Sequence, residues 1–452
     1  MPVLRRVVII GYVWGGPIEE KAPQAEASID DMIDALTRPL TPEEANPEQI
    51  QKEVLPPVEV TAESYESAIE EFNSVFLDNR WGDGLALIPP TKEAVEWMLT
   101  GTSRSPDEVI GKVAVKDGIA TVEKIAINAV MAGAKPEYLP VIIAAMEGLT
   151  GPTVEDFDLV HVQASMGNFT LAVIVSGPIG KEINMNSGMG FLGEGWRANA
   201  TIGRAIKLNM TNLGHMWPGV NAMPRVGRAA PYTLYTLAEN REFSPWEPYH
   251  VAQGYEPEDS CVTVSTTGSY GAWGLASVGA KTGELALDNI VNLIVSHRWF
   301  ALFDPVYTNP GSRPRKYILL VSPETANGFK SLGFDTQESL RNHICESTSV
   351  PYEELSPEEI QGIQGKIEAS IADELGPAQK IHPERLAVYQ EALKPGGKVP
   401  LIERPREDLH IVVMGYPVGG SVMSLAYHSP SYKWRAHETR LIRGATLTEA
   451  GR

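Results

Sequence analysis

The stretch AENREFSPWEPYH (238–250) gathers Glu239, Glu247 and His250 into one short irregular segment. A carboxyl group beside an imidazole can pass protons as general acid and base, so these three are the candidate catalytic residues. The same pair could instead ligate a divalent metal with a distant histidine such as His161 or His215. The chain has neither a His-x-x-x-His pair nor a His-Glu-x-x-His motif, and whether a metal is bound stays unknown at this level. A histidine satisfied by structural hydrogen bonds is the competing reading. Pro245 and Pro248 stiffen the segment, and a buried Trp246 would anchor it against the fold as part of a substrate pocket.

A second candidate is NMNSGMGFLGEGWRANATIGRA (184–205), whose Gly188, Gly190 and Gly193 have the Gly-x-Gly-x-x-Gly spacing of a dinucleotide-binding turn. Such a turn directly follows a strand, opens a helix and is completed by an acid about 20 residues on. Here the strand ends far upstream at Gly177, the helix begins nearer Ala198, and the region around 210 offers Asn209, Thr211 and Asn212 in place of a carboxylate. The spacing therefore does not identify a nucleotide, and the cofactor is unknown. What remains is a polar glycine loop in which Asn184, Asn186, Ser187, Gly188, Gly190 and Asn199 would orient a small polar substrate. Arg197 or Arg204 would balance a substrate anion. A structural crossover that needs left-handed residues is the alternative reading. YPVGGSVMS after the run LHIVVMG is a candidate pocket wall, although it lacks the Gly-x-Ser-x-Gly elbow of a hydrolase, and no Walker signature is present.

Both loops need a large scaffold, and 452 residues can supply one with a substantial core. Hydrophobic residues make up 43% and charged residues 21%, an ordinary globular balance. With 38 basic against 57 acidic side chains the net charge is −19, which opposes binding to nucleic acid or to an anionic membrane. Nowhere is there an apolar run of about 18 residues, so no membrane span is expected. The two cysteines, Cys261 and Cys345, stand far apart, which argues against a disulfide framework or cysteine zinc site and for a reducing, cytoplasmic compartment.

The expected fold class is α/β, a mixed sheet covered by helices, with an N-terminal helical region and an extended arm. Residues 5–13 read as a strand, and the acidic, Pro-rich stretch 19–61 as an arm that wraps a neighbour or as disorder. Helices are predicted at SYESAIEEFNSVFLDN, at KEAVEWMLTG capped by Thr91, and as a hairpin over 120–149 with Thr121 as cap, Gly133 as stop and Pro136 opening the second helix. Strands are predicted at LVHVQA, TLAVIVSG, YTLYTLAE, SCVTVST, KYILLVS and LHIVVMG, with a helix at ALDNIVNLIVSHRW and acidic helices over 352–394. Four regions follow: 1–75 with strand, arm and helix; 76–150, helical; 151–300, carrying the glycine loop; and 301–452, a C-terminal α/β region.

The segments WGDGLALIPPT, GIATVEKIAINAVMAGAKPEYLPV, NSGMGFLGEGWRANATIGRA and ENREFSPWEPYH together resemble the large domain found with UGSC-type (seleno)proteins, a poorly characterised bacterial family. The resemblance spans most of 75–265. That family is named for a tetrad of selenocysteine or cysteine, Gly, Ser and Cys, which resembles a thiol redox or nucleophile site. This chain has no such tetrad, since Gly419-Gly420-Ser421 has no flanking cysteine. The resemblance therefore implies a second, thiol-containing subunit, alongside self-association into a homo-oligomer. Two functions are carried forward. One is an enzyme, or large enzyme subunit, performing lyase or thiol-linked reductase chemistry at a carbon–heteroatom bond of a small polar molecule. The other is a non-catalytic scaffold that docks a small thiol or selenol redox partner.

Overall fold

The computed structural model describes residues 58–150, 159–164, 168–217, 227–268, 273–278, 283–296, 316–372, 383–402, 405–427 and 437–446, with single positions among 23–39, 219–224 and 298. The chain divides into two compact units, 1–61 and 62–452. In the first, residues 33–37 are helical, and Arg38 lies 3.5 Å from Asp34 on the same face. The strand expected at 5–13 and most of the expected arm lie outside the described residues.

The second unit opens with helices whose caps are explicit in the sequence. Ser64 caps α1 (Tyr65–Asp78), and Thr91 caps α2 (Lys92–Leu99) by accepting the Ala94 N–H at 3.2 Å. An antiparallel hairpin of β1 (Val109–Val113) and β2 (Gly118–Thr121) follows, an element that the hydrophobic pattern did not reveal. Thr121 then caps α3 (Val122–Met131). Gly133 turns left-handed at φ 80°, and Pro136 opens a short 3-10 turn leading into α4 (Leu139–Thr150).

From here the chain builds two four-stranded mixed sheets. In chain order the elements are β3 (Thr170–Ser176), α5 (Arg197–Gly214), β4 (Tyr235–Ala238), the short α6 (Tyr249–Ala252), β5 (Cys261–Thr267), β6 (Trp273–Val278) and α7 (Gly283–Ser296). Then come β7 (Lys316–Val321), α8 (Pro323–Ser331), α9 (Gln337–Ser347), α10 (Pro357–Ile371), β10 (Leu409–Val413), β11 (Ser421–Tyr427) and β12 (His437–Leu441). A minor pair, β8 (Val350–Pro351) with β9 (Lys398–Val399), sits between α9 and β10. The sheet orders are β12-β5-β3-β4 and β10-β7-β11-β6. Fold class is thus mixed α/β.

The two sheets are the same motif used twice. β3 runs parallel to β4 and antiparallel to β5, as β7 runs parallel to β10 and antiparallel to β11. The strand that ends each repeat then crosses over: β6 pairs with β11 of the second repeat, and β12 pairs with β5 of the first. This exchange ties 151–300 and 301–452 into one structure. Ladder registers give the equivalences directly. Val175 pairs with Ala238 and Val262, while Val321 pairs with Val413 and Val422, so Ser176 corresponds to Ser322 and Glu239 to Met414. The first residue past each parallel ladder repeats the same bond, Glu239 N–H to Val175 O and Met414 N–H to Val321 O, both 2.9 Å.

Alternation along the strands explains the layers. Ala172, Ile174 and Leu237 of one sheet pack on Ile318, Leu320 and Val412 of the other. Leu319, Val321, Ile411 and Val413 point the opposite way, into a core with Ile290, Ile294, Phe329, Leu340 and Ile344 from the helices. The apolar strands are therefore unbroken because a sheet covers one face and helices the other. On the first sheet α4 approaches β5 closely enough that a Cβ at Gly148 would lie 2.8 Å from Val264.

One expected strand is a helix: LVHVQA forms an α-helix over Leu159–Ala164. A six-residue apolar run fits either conformation, and there tertiary anchoring decides, since the Gln163 side-chain amide donates to the Ala114 carbonyl.

The close approach of α5 to β4 gives a direct test. A Cβ at Gly203 would lie 1.7 Å from the Thr233 carbonyl oxygen, whereas Gly365 on α10 has open space around it. Gly203→Ala should cost at least ~1–3 kcal/mol in urea unfolding, while Gly365→Ala should stabilise by about 0.5–1 kcal/mol.

Candidate functional site

Ser176 and Glu239 lie side by side where the parallel pair β3/β4 runs out, the end at which open α/β sheets usually hold ligands. The chain then makes a loop stiffened by Pro245 and Pro248 and pinned by Trp246, which is buried against Phe329 (ring centroids 6.5 Å apart) and donates Nε1–H to the Phe334 carbonyl at 2.9 Å. That loop returns His250 to the strand ends. The Ser176 hydroxyl donates to Glu239 Oε2, Ser176 Oγ lies 2.7 Å from His250 Nδ1, and the His250 backbone N–H donates to Ser176 Oγ at 3.3 Å. Glu239 Oε1 accepts the Tyr249 N–H at 2.8 Å.

The cluster is closed to bulk water, with Ser176 2%, Glu239 7% and His250 0% exposed. Burial pushes the Glu239 carboxyl up to about 7, against the opposing pull of its bonds from Ser176 and Tyr249 and of the Arg241 charge. Burial likewise holds His250 below the usual histidine range, opposed by the nearby Pro257 carbonyl. Both shifts favour the uncharged pair. A carboxyl that keeps its proton reverses the Ser176 bond of the ionised form: the Glu239 O–H then donates to Ser176 Oγ, the Ser176 O–H turns to His250 Nδ1, and the imidazole proton stays on Nε2. Moving both protons one step along the line gives carboxylate and imidazolium without any heavy atom moving.

His250 Nε2 and Arg241 Nε are both buried without a hydrogen-bond partner among the described residues. Arg241 Nη2 donates to the Pro257 carbonyl at 3.3 Å, the same carbonyl that lies near the His250 ring, although that approach falls short of a well-formed hydrogen bond. Tyr249, beside His250 in sequence, starts a second buried cluster. Its hydroxyl lies 3.0 Å from His410 Nδ1 and 2.9 Å from His437 Nε2, and the two imidazoles stack at 3.7 Å. Burial holds both of these histidines well below the usual range, with the Lys316 charge as a further cause, and pushes the Tyr249 phenol upward.

The glycine loop meets this end of the sheet through the backbone. Gly415 N–H donates to Ser187 O at 2.8 Å, and the Asn240 amide donates to Gly415 O at 3.0 Å. Inside the loop the asparagines bond to each other and to backbone. Asn186 N–H donates to Asn199 Oδ1 at 2.8 Å, the Asn199 amide donates to Asn186 O and Thr236 O, and Gly188 N–H donates to Asn186 Oδ1 at 2.8 Å. Gly190 is left-handed at φ 68°, and Asn184 is exposed at φ 56°. The arginines engage other partners: Arg197 Nε donates to Gly133 O at 2.9 Å, and Arg204 holds Asp83 with bonds of 2.8 and 2.9 Å. Glu247 is exposed, and the carboxyl brought to His250 is that of Glu239.

The sequence reading missed Ser176, Arg241, Tyr249, His410 and His437. Only Ser176, directly after the apolar run TLAVIV, carried a local signal, because the residue that ends a buried parallel strand points into the ligand-binding end of the sheet. Among the described residues no three His, Cys, Asp or Glu side chains are grouped to hold a metal ion, and no helix is long and apolar enough to cross a membrane. No protein-family model, curated protein or solved structure matches the chain.

The Glu239 shift is a stability statement. A carboxyl whose folded value is raised to about 7 destabilises the fold as pH climbs from its unfolded value near 4.5, and the full cost, about 3 kcal/mol, is reached above 7. Glu239→Gln, which cannot ionise, should therefore gain on the parent protein between about pH 5 and 8 in denaturant unfolding. Parallel curves across that window would refute a raised carboxyl.

Proposed function

We propose that this chain is an enzyme, or the large subunit of one, that acts on a small polar organic molecule and moves a proton through the Glu239–Ser176–His250 line. The observation that carries this reading is the asymmetry between the repeats. Equivalent strand ends hold Ser176 with Glu239 in the first, but Ser322 with Met414 in the second, where Ser322 serves as the cap of α8. A buried carboxyl set against an imidazole is expensive, and the scaffold is built equally well without it.

The chemistry supported is proton removal and return, as in a lyase acting at a carbon–heteroatom bond. With Glu239 ionised and His250 protonated on Nδ1, the Nε2 lone pair takes a proton from carbon, the Nδ1 proton passes to Ser176, and the Ser176 proton passes to Glu239. Reversing the line delivers one proton to the departing heteroatom, so the cycle balances. Arg241 is the cation suited to an anionic group of the substrate. Because the cluster is closed, substrate entry requires the 239–259 segment to open.

The scaffold reading rests on the thiols. Cys261 and Cys345 are both buried, and burial pushes each up to about 12, so neither is a thiolate at neutral pH. Thiol or selenol chemistry would then come from a second chain, which agrees with the proposed kinship to the UGSC-type large domain.

The reading is tested on the protein together with whatever chain copurifies with it, using turnover of small hydroxy, amino and thio acids as the assay. Ser176→Ala and His250→Asn should each lower kcat by about 10²–10⁴-fold while assembly is retained. Full activity in both would leave only the scaffold. Separately, neither cysteine of the folded chain should react with a chromogenic disulfide near pH 8, and both should react once urea unfolds it.

A further inference from the structure

We propose that β12 is an acid-released strap over the closed cluster: proton uptake by His437, stacked on His410, frees this edge strand and lets the 239–259 segment open. The use of that opening for substrate entry rests on the catalytic reading above. Release of the strand does not.

In the order β12-β5-β3-β4 the strand lies at the edge, held by the ladder that runs from His437 opposite Ser265 to Leu441 opposite Cys261. It also grips the 239–259 segment twice. The Tyr249 hydroxyl lies 2.9 Å from His437 Nε2, and the Tyr255 hydroxyl donates to the Thr439 carbonyl at 2.8 Å. An edge strand can leave without breaking the ladders that β3 makes with β4 and β5, and its departure removes both grips together.

The grip at Tyr249 is built for uncharged imidazoles. The Tyr249 O–H donates to a nitrogen of one ring, and the N–H of the other ring donates to the Tyr249 oxygen. The outer nitrogens, His410 Nε2 and His437 Nδ1, are buried with no hydrogen-bond partner among the described residues. Protonation puts N–H on both nitrogens of a ring and so adds a buried donor.

The groups facing the pair oppose that proton. Lys316 at the start of β7 acts on both rings, Arg341 of α9 acts on His410, and a second charged ring would stand 3.7 Å away. The Glu407 carbonyl approaches His410 and favours its charged form, but without a well-formed bond. The acids nearby are engaged elsewhere: Glu438, the next residue on β12, pairs with Arg440, Asp408 acts on Cys345, and Glu239 meets the backbone N–H of Tyr249. Opposite His437, β5 offers the uncharged Ser265, and His250 bonds to Ser176. Burial, with the Lys316 charge, holds His437 down at about 3, whereas in the released strand it returns to about 6.5. The released strand therefore binds more protons across that window, and the closed state loses ground as pH falls from about 6.5, by about tenfold per pH unit for His437 alone.

Hydrogen exchange of the full chain is followed by mass spectrometry from pH 7 to about 4.5, with labelling times scaled to the intrinsic exchange rate. Protection of 437–441 should fall by about tenfold per pH unit below 6.5, and that of 249–255 with it, while β3 keeps its own. His437→Gln, which cannot take up a proton, should remove most of this dependence. Glu239→Gln should leave the 437–441 slope unchanged. Protection of 437–441 that is constant with pH, or that falls only together with β3, would overturn the proposal. So would 249–255 staying protected after 437–441 is released, or a folded His437→Gln variant with the parent slope. Should that variant fail to fold, the difference between 437–441 and β3 in the parent chain decides alone. None of these measurements uses turnover, so an inactive Glu239–His250 line would leave the strap standing.

Discussion

Ala172, Ile174 and Leu237 facing Ile318, Leu320 and Val412 form the seam on which the structure depends. A strand buried on both faces has no polar side to spare, and each of its Ile, Leu and Val side chains contributes about 1.5–3 kcal/mol on leaving water. The exchange of β6 and β12 locks that seam, because separating the two repeats would break a full ladder in each sheet as well as the apolar contact. Stability and connectivity therefore reinforce one another: neither repeat closes its own sheet, and each is completed by the strand that leaves the other.

The polar clusters sit where the seam ends. The register that pairs Val175 with Ala238 sets Ser176 and Glu239 next to one another one step past the ladder, and the returning loop adds Tyr249 and His250, consecutive residues of one short helix. Their shifted ionisation follows from the same burial that builds the core, since a carboxyl taken out of water holds its proton and an imidazole loses its own. Tyr249 extends into the seam itself, where its hydroxyl bridges two stacked imidazoles contributed by β10 and β12, one from each sheet. A bond network that spans both sheets makes the exchanged strand part of the site's support.

Helix α5 links the two polar regions by carrying amides on its buried side. Asn199 closes the glycine loop, and Asn209 and Asn212 form a chain with Asn128 of α3 at the far end. Uncharged donors and acceptors suit a helix packed this tightly, because each can be satisfied by a backbone or amide neighbour without the desolvation cost of a charge. The arginines on the same helix are held at its rim by Gly133 O and Asp83.

Sequence alone determined whatever depends on neighbours along the chain. The caps at Thr91 and Thr121, the left-handed Gly133, the helix opening near Ala198 and the β-branched strands β3, β5, β7 and β10 are local signals, as is the failure of the glycine spacing to match a nucleotide turn. The candidate site was half legible: Glu239, His250 and the anchoring Trp246 are close in sequence, while Ser176 lies far upstream and His410 and His437 far downstream. Tertiary structure decided the rest. The six-residue run at 159–164 fits helix or strand until its neighbours are in place, and strand exchange leaves no trace in periodicity, because an apolar strand has the same pattern whichever sheet receives it. Which carboxyl meets the imidazole is likewise a matter of register between strands, which hydrogen bonds fix across space and composition along the chain does not encode.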